Sequence, residues 1–195
     1  MKMININLVE KFKKALLLTP FLFIACSELK ITPVPNTIQF SNINSDSNFL
    51  CIPAAYTSVD GTIEGKYRIN GISYGTKSLK EFVSIHPTKG LIIGNKWYSD
   101  NGFQQHVLVK NSRSRTFIDQ RIAKRRCLCS KNGKYFIIES TFPITLTEFA
   151  QLVSNHCDNA VNLDMGDYGY GWIGKNKHSQ IFKYNKHKQT NWIVC

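Results

Sequence analysis

The chain has 195 residues and a net charge of +12. That length corresponds to one domain, and the content of 43% hydrophobic and 19% charged residues is typical of a folded globular protein, not of a disordered one. The positive charge favours an anionic partner. Because no nucleic-acid-binding motif is present, we expect an anionic or phosphorylated glycan or a lipid headgroup and no nucleic acid.

Residues 1–25 are predicted to be a signal peptide. Lysines precede an apolar run, Ala15–Ala25, which is too short to cross a bilayer as a helix. The run ends in Leu-Phe-Ile-Ala-Cys26, which resembles a bacterial lipobox whose cysteine is acylated. We therefore expect a protein of the cell envelope, facing the periplasm or the surface of the outer membrane and held to a membrane by a lipid anchor on Cys26. The alternative is an ordinary signal peptide that is cleaved near Cys26.

Residues 26–48 are predicted to be a tether with an edge strand at Thr37–Phe40, because prolines and small polar residues interrupt any periodicity. The folded domain is predicted to span residues 49–195. Its first half contains short apolar runs separated by glycines, which predict hairpins, one of them around Gly94. Ser78–Ser84 is predicted to form a short helical turn.

The second half carries the clearest local signals. Asn132-Gly133 suits a type I′ turn and predicts a hairpin between Cys127–Ser130 and Tyr135–Glu139. Thr145–His156 has a capping threonine, a glutamate in its first turn and an apolar stripe, and is predicted to be a helix. Ala160–Asp164 is predicted to be a buried strand. Together these elements predict an α+β fold, a single domain of mixed, mostly hairpin-connected strands with one or two packed helices.

The spacing of the cysteines does not predict a set of disulfide bonds. With Cys26 assigned to lipidation, an odd number remains, so a disulfide is permitted outside the cytosol but none is implied. Cys127 and Cys129 point to opposite faces of a strand, which is poor geometry for a shared metal. We expect the cysteines to be small buried apolar side chains, and we expect no metal and no cofactor.

The predicted strand that ends at Asp164 is the first candidate for chemistry. Alternation puts Asn162 and Asp164 on one face and Leu163 on the other. Two polar groups on an otherwise apolar strand are costly to bury unless they are satisfied or used, so Asp164 is a candidate general acid or base. The alternative is an aspartate that caps the amides of the following loop.

The stretch Asn111–Arg126 is the most basic part of the chain. Arginine can hold a phosphate or carboxylate with two parallel hydrogen bonds, and Arg121, Arg125 and Arg126 precede the predicted hairpin. Any of them is alternatively part of a solvated positive surface.

A glycine-rich loop with aromatic residues follows Asp164. Its side chains could stack on a sugar ring or contact a substrate, although aromatic residues also commonly pack on the core. The candidate substrate-binding residues there are Gly166, Asp167, Tyr168, Tyr170 and Trp172, and Arg126 is added from the basic stretch.

Cys127–Trp172 resembles the bacterial phosphodiester glycosidase family, which shares its domain with the lysosomal "uncovering" enzyme; the likeness is to a short lipoprotein branch. The family's order of arginine strand, glycine-turn hairpin, helix and Asn-Leu-Asp strand is matched here and ends in Asn162-Leu163-Asp164. The resemblance implies hydrolysis of a glycosidic bond to a phosphate ester. Asp164 and Asn162 would act in catalysis with Arg125 or, in another register, Arg121.

One family position departs from this pattern. An early strand of the family ends in Asn-Gly-Gly-Phe-Phe, whereas this chain has Pro53–Thr57 there and lacks the asparagine. The alternative function is therefore a catalytically silent module of the same fold that binds glycans at the cell surface.

Overall fold

The computed structural model describes residues 28–42, 49–58, 60–165, 171–174 and 190–195. These ranges contain fifteen strands and one helix. In chain order they are β1 (Leu29–Val34), β2 (Gln39–Ser41), β3 (Leu50–Pro53), β4 (Tyr67–Ile69), β5 (Ile72–Tyr74), β6 (Phe82–His86), β7 (Gly90–Gly94), β8 (Gly102–Phe103), β9 (Val107–Lys110), β10 (Arg113–Ser114), β11 (Arg126–Lys131), β12 (Lys134–Ser140), α1 (Leu146–Ser154), β13 (Asn159–Asn162), β14 (Trp172–Ile173) and β15 (Trp192–Val194). No helix in these ranges is long and apolar enough to span a membrane.

The strands form three sheets in which every neighbouring pair is antiparallel. The six-stranded sheet has the order β1-β12-β11-β13-β9-β10, the four-stranded sheet β14-β3-β15-β2 and the five-stranded sheet β5-β4-β8-β6-β7. Since β13 lies between β11 and β9, the residues that follow it are placed by strands on both sides.

The two faces of the six-stranded sheet pack against different partners. Alternation along β11 sends Cys127 and Cys129 to one face, where they pack with Phe149 and Val153 of α1. Leu128 lies on the opposite face, in a core that also contains side chains from the four-stranded and five-stranded sheets. The sheet is therefore covered by one helix on one side and by other sheets on the other.

The predicted helix is confirmed: α1 covers the whole apolar stripe and is slightly shorter than the predicted range Thr145–His156. Thr145 caps α1: its Oγ1 accepts a hydrogen bond from the N–H of Glu148 at 3.2 Å, and Glu148 Oε2 accepts from the N–H of Thr145 at 2.8 Å. This capping box satisfies two amides that have no partner within the helix.

The predicted Asn132-Gly133 hairpin is also confirmed. Asn132 has φ 51° and Gly133 has φ 73°, the left-handed conformation that a type I′ turn requires at both positions. A Cβ on Gly133 would lie 2.5 Å from the carbonyl oxygen of Thr88, so glycine is needed for space as well as for φ. The turn sets the register in which Arg126 pairs with Glu139.

The predicted α+β class is wrong, because the described chain is a β-rich fold of three antiparallel sheets with a single nine-residue helix. Part of Ser78–Ser84, predicted as a helical turn, belongs to β6, whose β-branched Val83 and Ile85 are buried. β6 pairs with β7, so Gly94 ends a strand instead of forming a hairpin turn.

Two strands come from residues 26–48, where the sequence predicts a tether with one edge strand at Thr37–Phe40; β2 overlaps that predicted edge strand, whereas β1 was not predicted. β1 pairs with β12 over six residues, and β2 pairs with β15 at the edge of the four-stranded sheet. Pro33 lies within β1, which is tolerated because β1 is an edge strand and a missing N–H can face the unpaired side. The division of the chain into signal peptide, tether and domain stays a prediction.

The structure pairs two cysteines that the sequence left unpaired. Cys129 of β11 is bonded to Cys157, which follows α1, with their Cα atoms 5.6 Å apart. The expectation that the cysteines are unpaired is therefore wrong for Cys129 and Cys157. These two residues are brought together by the packing of α1 on the six-stranded sheet, which the sequence does not show. Cys51 and Cys127 are fully buried, as expected, and the thiol of Cys127 is free.

Replacing both Cys129 and Cys157 by alanine should lower the free energy of unfolding. The bond closes a loop of 28 residues, which corresponds to about 3–4 kcal/mol in the chain-entropy model. Urea unfolding of oxidised wild type and the double variant measures this difference, with Cys127→Ala as the control that removes a buried cysteine outside the bond. Mass spectrometry of unreduced peptides that showed separate thiols at 129 and 157 would refute the pairing.

Candidate active site

The residues that end β13 connect three separate parts of the fold. The N–H of Asn162 donates to the carbonyl of His106 at 2.9 Å, and the N–H of Leu163 donates to that of Arg126 at 2.9 Å. The N–H of Asp164 donates to the carbonyl of Ala54 at 2.8 Å. Three consecutive amides therefore bind the segment before β9, strand β11 and the segment after β3.

The pairing of β13 with β11 decides which side chains share a face. Asn162 is opposite Cys127, so both lie on the face that α1 covers. Leu163 packs in the core on the other face, as alternation predicts. Continued by one more residue, the same register sets Arg125 beside Asp164. Asn162 and Asp164 are 2% and 6% exposed, so both polar side chains are buried.

Asn162 binds a residue that the sequence did not single out, Tyr56. The Nδ2 of Asn162 donates to the Tyr56 hydroxyl at 2.7 Å and to the carbonyl of Leu163 at 3.2 Å. Because that carbonyl can only accept, it fixes the orientation of the amide. The Asn162 Oδ1 is buried and has no partner among the described residues. It is therefore an acceptor available to a ligand O–H or N–H.

The pKa of the Tyr56 hydroxyl is set by its burial and by the charged residues around it. Burial raises the pKa of its hydroxyl, the positive charge of Arg125 lowers that pKa, and the carboxylate of Asp164 raises it. The hydroxyl therefore stays protonated at neutral pH. Arg125 and Asp164, and after them Arg121 and Asp119, act on one hydroxyl that also binds Asn162, so these charged residues lie around Tyr56.

Arg125 is held by backbone carbonyls. Its Nε donates to the carbonyl of Ile144 at 3.2 Å, its Nη2 donates to that of Arg121, and its own N–H donates to Ser140 Oγ at 2.7 Å. The residue is 9% exposed, and it forms no ion pair with any residue in the described ranges. A buried guanidinium without a carboxylate partner is suited to binding an anion.

The other two arginines point elsewhere. The side chain of Arg121 is 82% exposed and pairs with Asp119 at 2.7 Å. Hydrogen bonds from Arg121 lower the pKa of Asp119 to about 2. Arg126 is buried on the opposite face of β11, where it pairs with Glu139 at 2.7 Å. The structure thus groups Arg125, and not Arg126, with Asp164, and the guanidinium of Arg121 contributes only at the exposed rim.

His106 is a second residue that sequence reasoning missed. Its ring lies edge-on to the rings of Tyr56 and Phe117, with centroids 5.9 Å and 5.7 Å away. His106 is exposed on its other side, and its partial burial against these rings lowers its pKa and outweighs the opposite effect of Asp119 and Glu64. The imidazole is therefore neutral at pH 7 and can accept a proton.

A third missed residue positions Tyr56. Asn191 is fully buried; its Oδ1 accepts from the N–H of Ala55 at 2.6 Å, and its Nδ2 donates to Thr57 Oγ1 at 3.1 Å. It therefore clamps the backbone on both sides of Tyr56. The signal in the sequence was weak: Asn191 adjoins the last apolar run, but its partners are more than 130 residues away.

The remaining predicted residues do not join this group. Trp172 is 2% exposed in β14 and packs with Cys51 and Trp192, so its ring is a core element and is not available to stack on a sugar. Gly166, Asp167, Tyr168, Tyr170 and the proposed lipidation site Cys26 lie outside the described residues. No group of three or more metal-ligating side chains occurs within the described ranges.

An open groove of about 1100 Å³ lies apart from this group. Its lining is mostly hydroxyl and amide side chains with one lysine, and includes none of the residues around Tyr56: Asn42, Ser58, Asp60, Gly61, Thr62, Ile63, Tyr67, Gly75, Thr76, Lys77 and Thr190. We locate the candidate active site by the convergence of buried polar groups, since this groove lacks them.

No protein-family model and no curated protein sequence matches the chain. The fold is similar to that of the catalytic domain of zebrafish N-acetylglucosamine-1-phosphodiester alpha-N-acetylglucosaminidase, in a form auto-inhibited by its pro-peptide. The TM-score is 0.56 at 13% sequence identity, and the match covers 86% of this chain and 72% of that one. At this identity the likeness shows a shared fold, and it does not transfer the activity.

The lowered pKa of His106 predicts how stability varies with pH. The folded chain binds this proton less readily than the unfolded chain, so the contribution of neutral His106 is present above the unfolded pKa of about 6.5 and is lost as pH falls through the folded value. An NMR titration should therefore give His106 a lower pKa in the folded protein than in a short peptide of the same sequence. Phe117→Leu should move it towards the peptide value, and equal values in the folded protein and the peptide would contradict the desolvated site.

Proposed function

We propose that the chain is an exported, lipid-anchored hydrolase, similar to the phosphodiester glycosidases, that cleaves a glycosidic bond to a phosphate ester on an anionic glycan. The observation that carries this proposal is the buried Arg125, which has no ion-pair partner in the described ranges and lies beside the buried Asp164. Removing such charges from water costs several kcal/mol per ion. Buried charged groups of this kind are concentrated at binding and catalytic sites.

Arg125 would bind the phosphate. Two of the five N–H donors of a guanidinium are used on the carbonyls of Ile144 and Arg121, which fix its plane. The remaining donors are available to the oxygens of a phosphodiester. As the glycosidic bond breaks, negative charge grows on the bridging phosphate oxygen, and a preorganised cation stabilises that charge most in the transition state.

Asp164 would act at the sugar. A phosphate ester leaves as a stable anion, so the reaction does not depend on protonation of the leaving group as cleavage of an ordinary glycoside does. One carboxylate is then sufficient: it accepts a proton from the attacking water while the water oxygen bonds to the anomeric carbon and the bond to phosphate breaks.

The uncharged groups would orient the sugar. The Asn162 Oδ1 has no partner among the described residues, so it can accept a hydrogen bond from a sugar hydroxyl or an N-acetyl N–H. The Nδ2 of the same amide donates to Tyr56 and Leu163, which holds the Oδ1 in place. Tyr56 is protonated and His106 is neutral, so neither competes with Arg125 for the phosphate. Two further observations support the proposal: the Asn162-Leu163-Asp164 motif and the shared fold of the zebrafish catalytic domain.

A silent glycan-binding module of the same fold is the second candidate. The asparagine that the phosphodiester glycosidases have at the end of an early strand is missing from the corresponding Pro53–Thr57. Ala54 is in the site itself, since its carbonyl accepts from the N–H of Asp164. Loss of a catalytic amide there would leave the anion site of Arg125 intact.

Asp164→Asn and Arg125→Gln should each abolish most of the turnover of a sugar-phosphodiester panel. We expect kcat/KM to fall on the order of 10²–10⁴ for Asp164→Asn and on the order of 10²–10³ for Arg125→Gln. Arg121→Gln is the matched control, because this exposed arginine pairs with Asp119; its effect should stay below about fivefold.

Three outcomes are distinguishable in that assay. Background turnover by wild type and variants alike would refute the hydrolase. If the wild type showed no turnover but still bound the glycans, and Arg125→Gln did not bind them, the proposal of a catalytically silent binding module would be supported. A larger loss in Arg121→Gln than in Arg125→Gln would reverse the assignment of the phosphate-binding residue.

The lipid anchor is tested by labelling. Cells that express the full chain should incorporate radioactive palmitate into it, and Cys26→Ser should abolish the label because Cys26 is the cysteine that directly ends the lipobox-like sequence. Cys195→Ser is the matched control and should keep the label. Equal labelling of wild type and Cys26→Ser would disprove the anchor.

A further inference from the structure

One loop exposes large apolar side chains that the proposed reaction does not use. Residues 116–124, here called the rim loop, connect β10 to β11 without regular secondary structure. Ile118 is 99% exposed and Ile122 is 69% exposed. Phe142, 41% exposed, is close by, because Ala123 of the rim loop forms a bridge with Ile144. Exposed apolar residues are ordinary when scattered, but a cluster of them marks an interaction site.

The loop is pinned at both ends, so the exposure is built into the fold. The hydroxyl of Thr147 accepts from the N–H of Phe117 at 2.9 Å and donates to its carbonyl at 3.2 Å. Ala123 and Ile144 exchange two backbone hydrogen bonds of 3.1 Å and 2.9 Å. Between these anchors the two isoleucines project away from the described residues.

Charge accompanies the apolar side chains. Arg121 and Lys124 of the rim loop are both exposed, against one acid, Asp119. The wider stretch 110–126 holds seven cations, and the carboxylates that pair with them in the structure are three: Glu81, Asp119 and Glu139. Arg125 and Arg126 of that stretch are buried, so the exposed rim loop itself carries two cations against one acid, a net charge of +1.

We propose that the rim loop docks on the surface of a lipid bilayer that carries anionic headgroups, with Ile118 and Ile122 inserted below the headgroups and Arg121 and Lys124 among the phosphates. A side chain that is 99% exposed protrudes, and protruding aliphatic chains suit insertion into lipid. Protein interfaces depend instead on aromatic and arginine anchors that fit into pockets. Cations beside such apolar chains add electrostatic attraction to anionic lipid.

Docking would bring the candidate active site to the membrane surface. The rim loop contacts that site twice: Phe117 packs edge-on against His106, and the carbonyl of Arg121 accepts from Arg125. Docking of the loop does not depend on hydrolysis, nor on acylation of Cys26, because it rests on the exposed residues of the loop.

The test is vesicle co-sedimentation of the full chain carrying Cys26→Ser, so that no acyl chain contributes. Vesicles of phosphatidylcholine with phosphatidylglycerol should bind the protein more tightly than phosphatidylcholine alone, and salt should weaken this binding. Ile118→Asp with Ile122→Asp should reduce the partition coefficient by about tenfold per isoleucine. The control, Ile72→Asp on edge strand β5, removes an isoleucine that is 58% exposed and should change it by less than about twofold.

A second measurement separates the loop from the apolar N-terminal segment, which all variants share. Ile118→Trp should gain fluorescence that brominated lipids quench, whereas the fluorescence added by Ile72→Trp should not be quenched. Equal quenching of both, or unchanged partitioning of the Asp variant, would overturn the proposal. A fall from dimer to monomer in the Asp variant without a change in vesicle binding would overturn it too, since the isoleucines would then bind a second copy.

Discussion

Three consecutive amide hydrogen bonds at the end of β13 hold the candidate site together. Each of them ends on a different part of the chain: the segment before β9, strand β11 and the segment after β3. Backbone amides that leave a sheet must find acceptors, and here the acceptors belong to the segments that carry His106, Arg126 and Tyr56. If the register of β13 slipped by one residue, Asn162 and Asp164 would exchange faces with Leu163, and the site would no longer exist.

The site is buried and charged at the same time, and the structure shows how its cation is supported. Arg125 is held by the carbonyls of Ile144 and Arg121, which are oriented dipoles and not competing charges. Arg121 pairs with Asp119 at the surface. Arg125 is therefore the buried cation of the candidate site, and the exposed rim loop, for which we propose membrane docking, lies next to it.

Local sequence signals predicted the elements that supply the site, because they act over a few residues. The capping box of α1, the Asn132-Gly133 turn and the alternation around Asn162 each depend on neighbours in sequence, and the structure contains all three. The likeness to phosphodiester glycosidases rested on this same region, and the zebrafish catalytic domain shares the fold. The prediction of an α+β class was wrong because it gave the helices too much weight. In the structure the sheets pack mainly against one another, and one helix covers one face of one sheet.

The sequence by itself determined the helix, the hairpin of β11 and β12 and the polar end of β13. Only the tertiary structure decided that Tyr56 and His106 join Asn162, that Arg125 is buried while Arg121 is exposed, that Trp172 is a core residue and that Cys129 pairs with Cys157. The reason is distance along the chain. Tyr56 lies 106 residues from Asn162, and Asn191 lies 136 residues from the amide it binds. Such contacts follow from strand order and register, which are set by packing of the whole sheet and leave no periodic trace in the residues themselves.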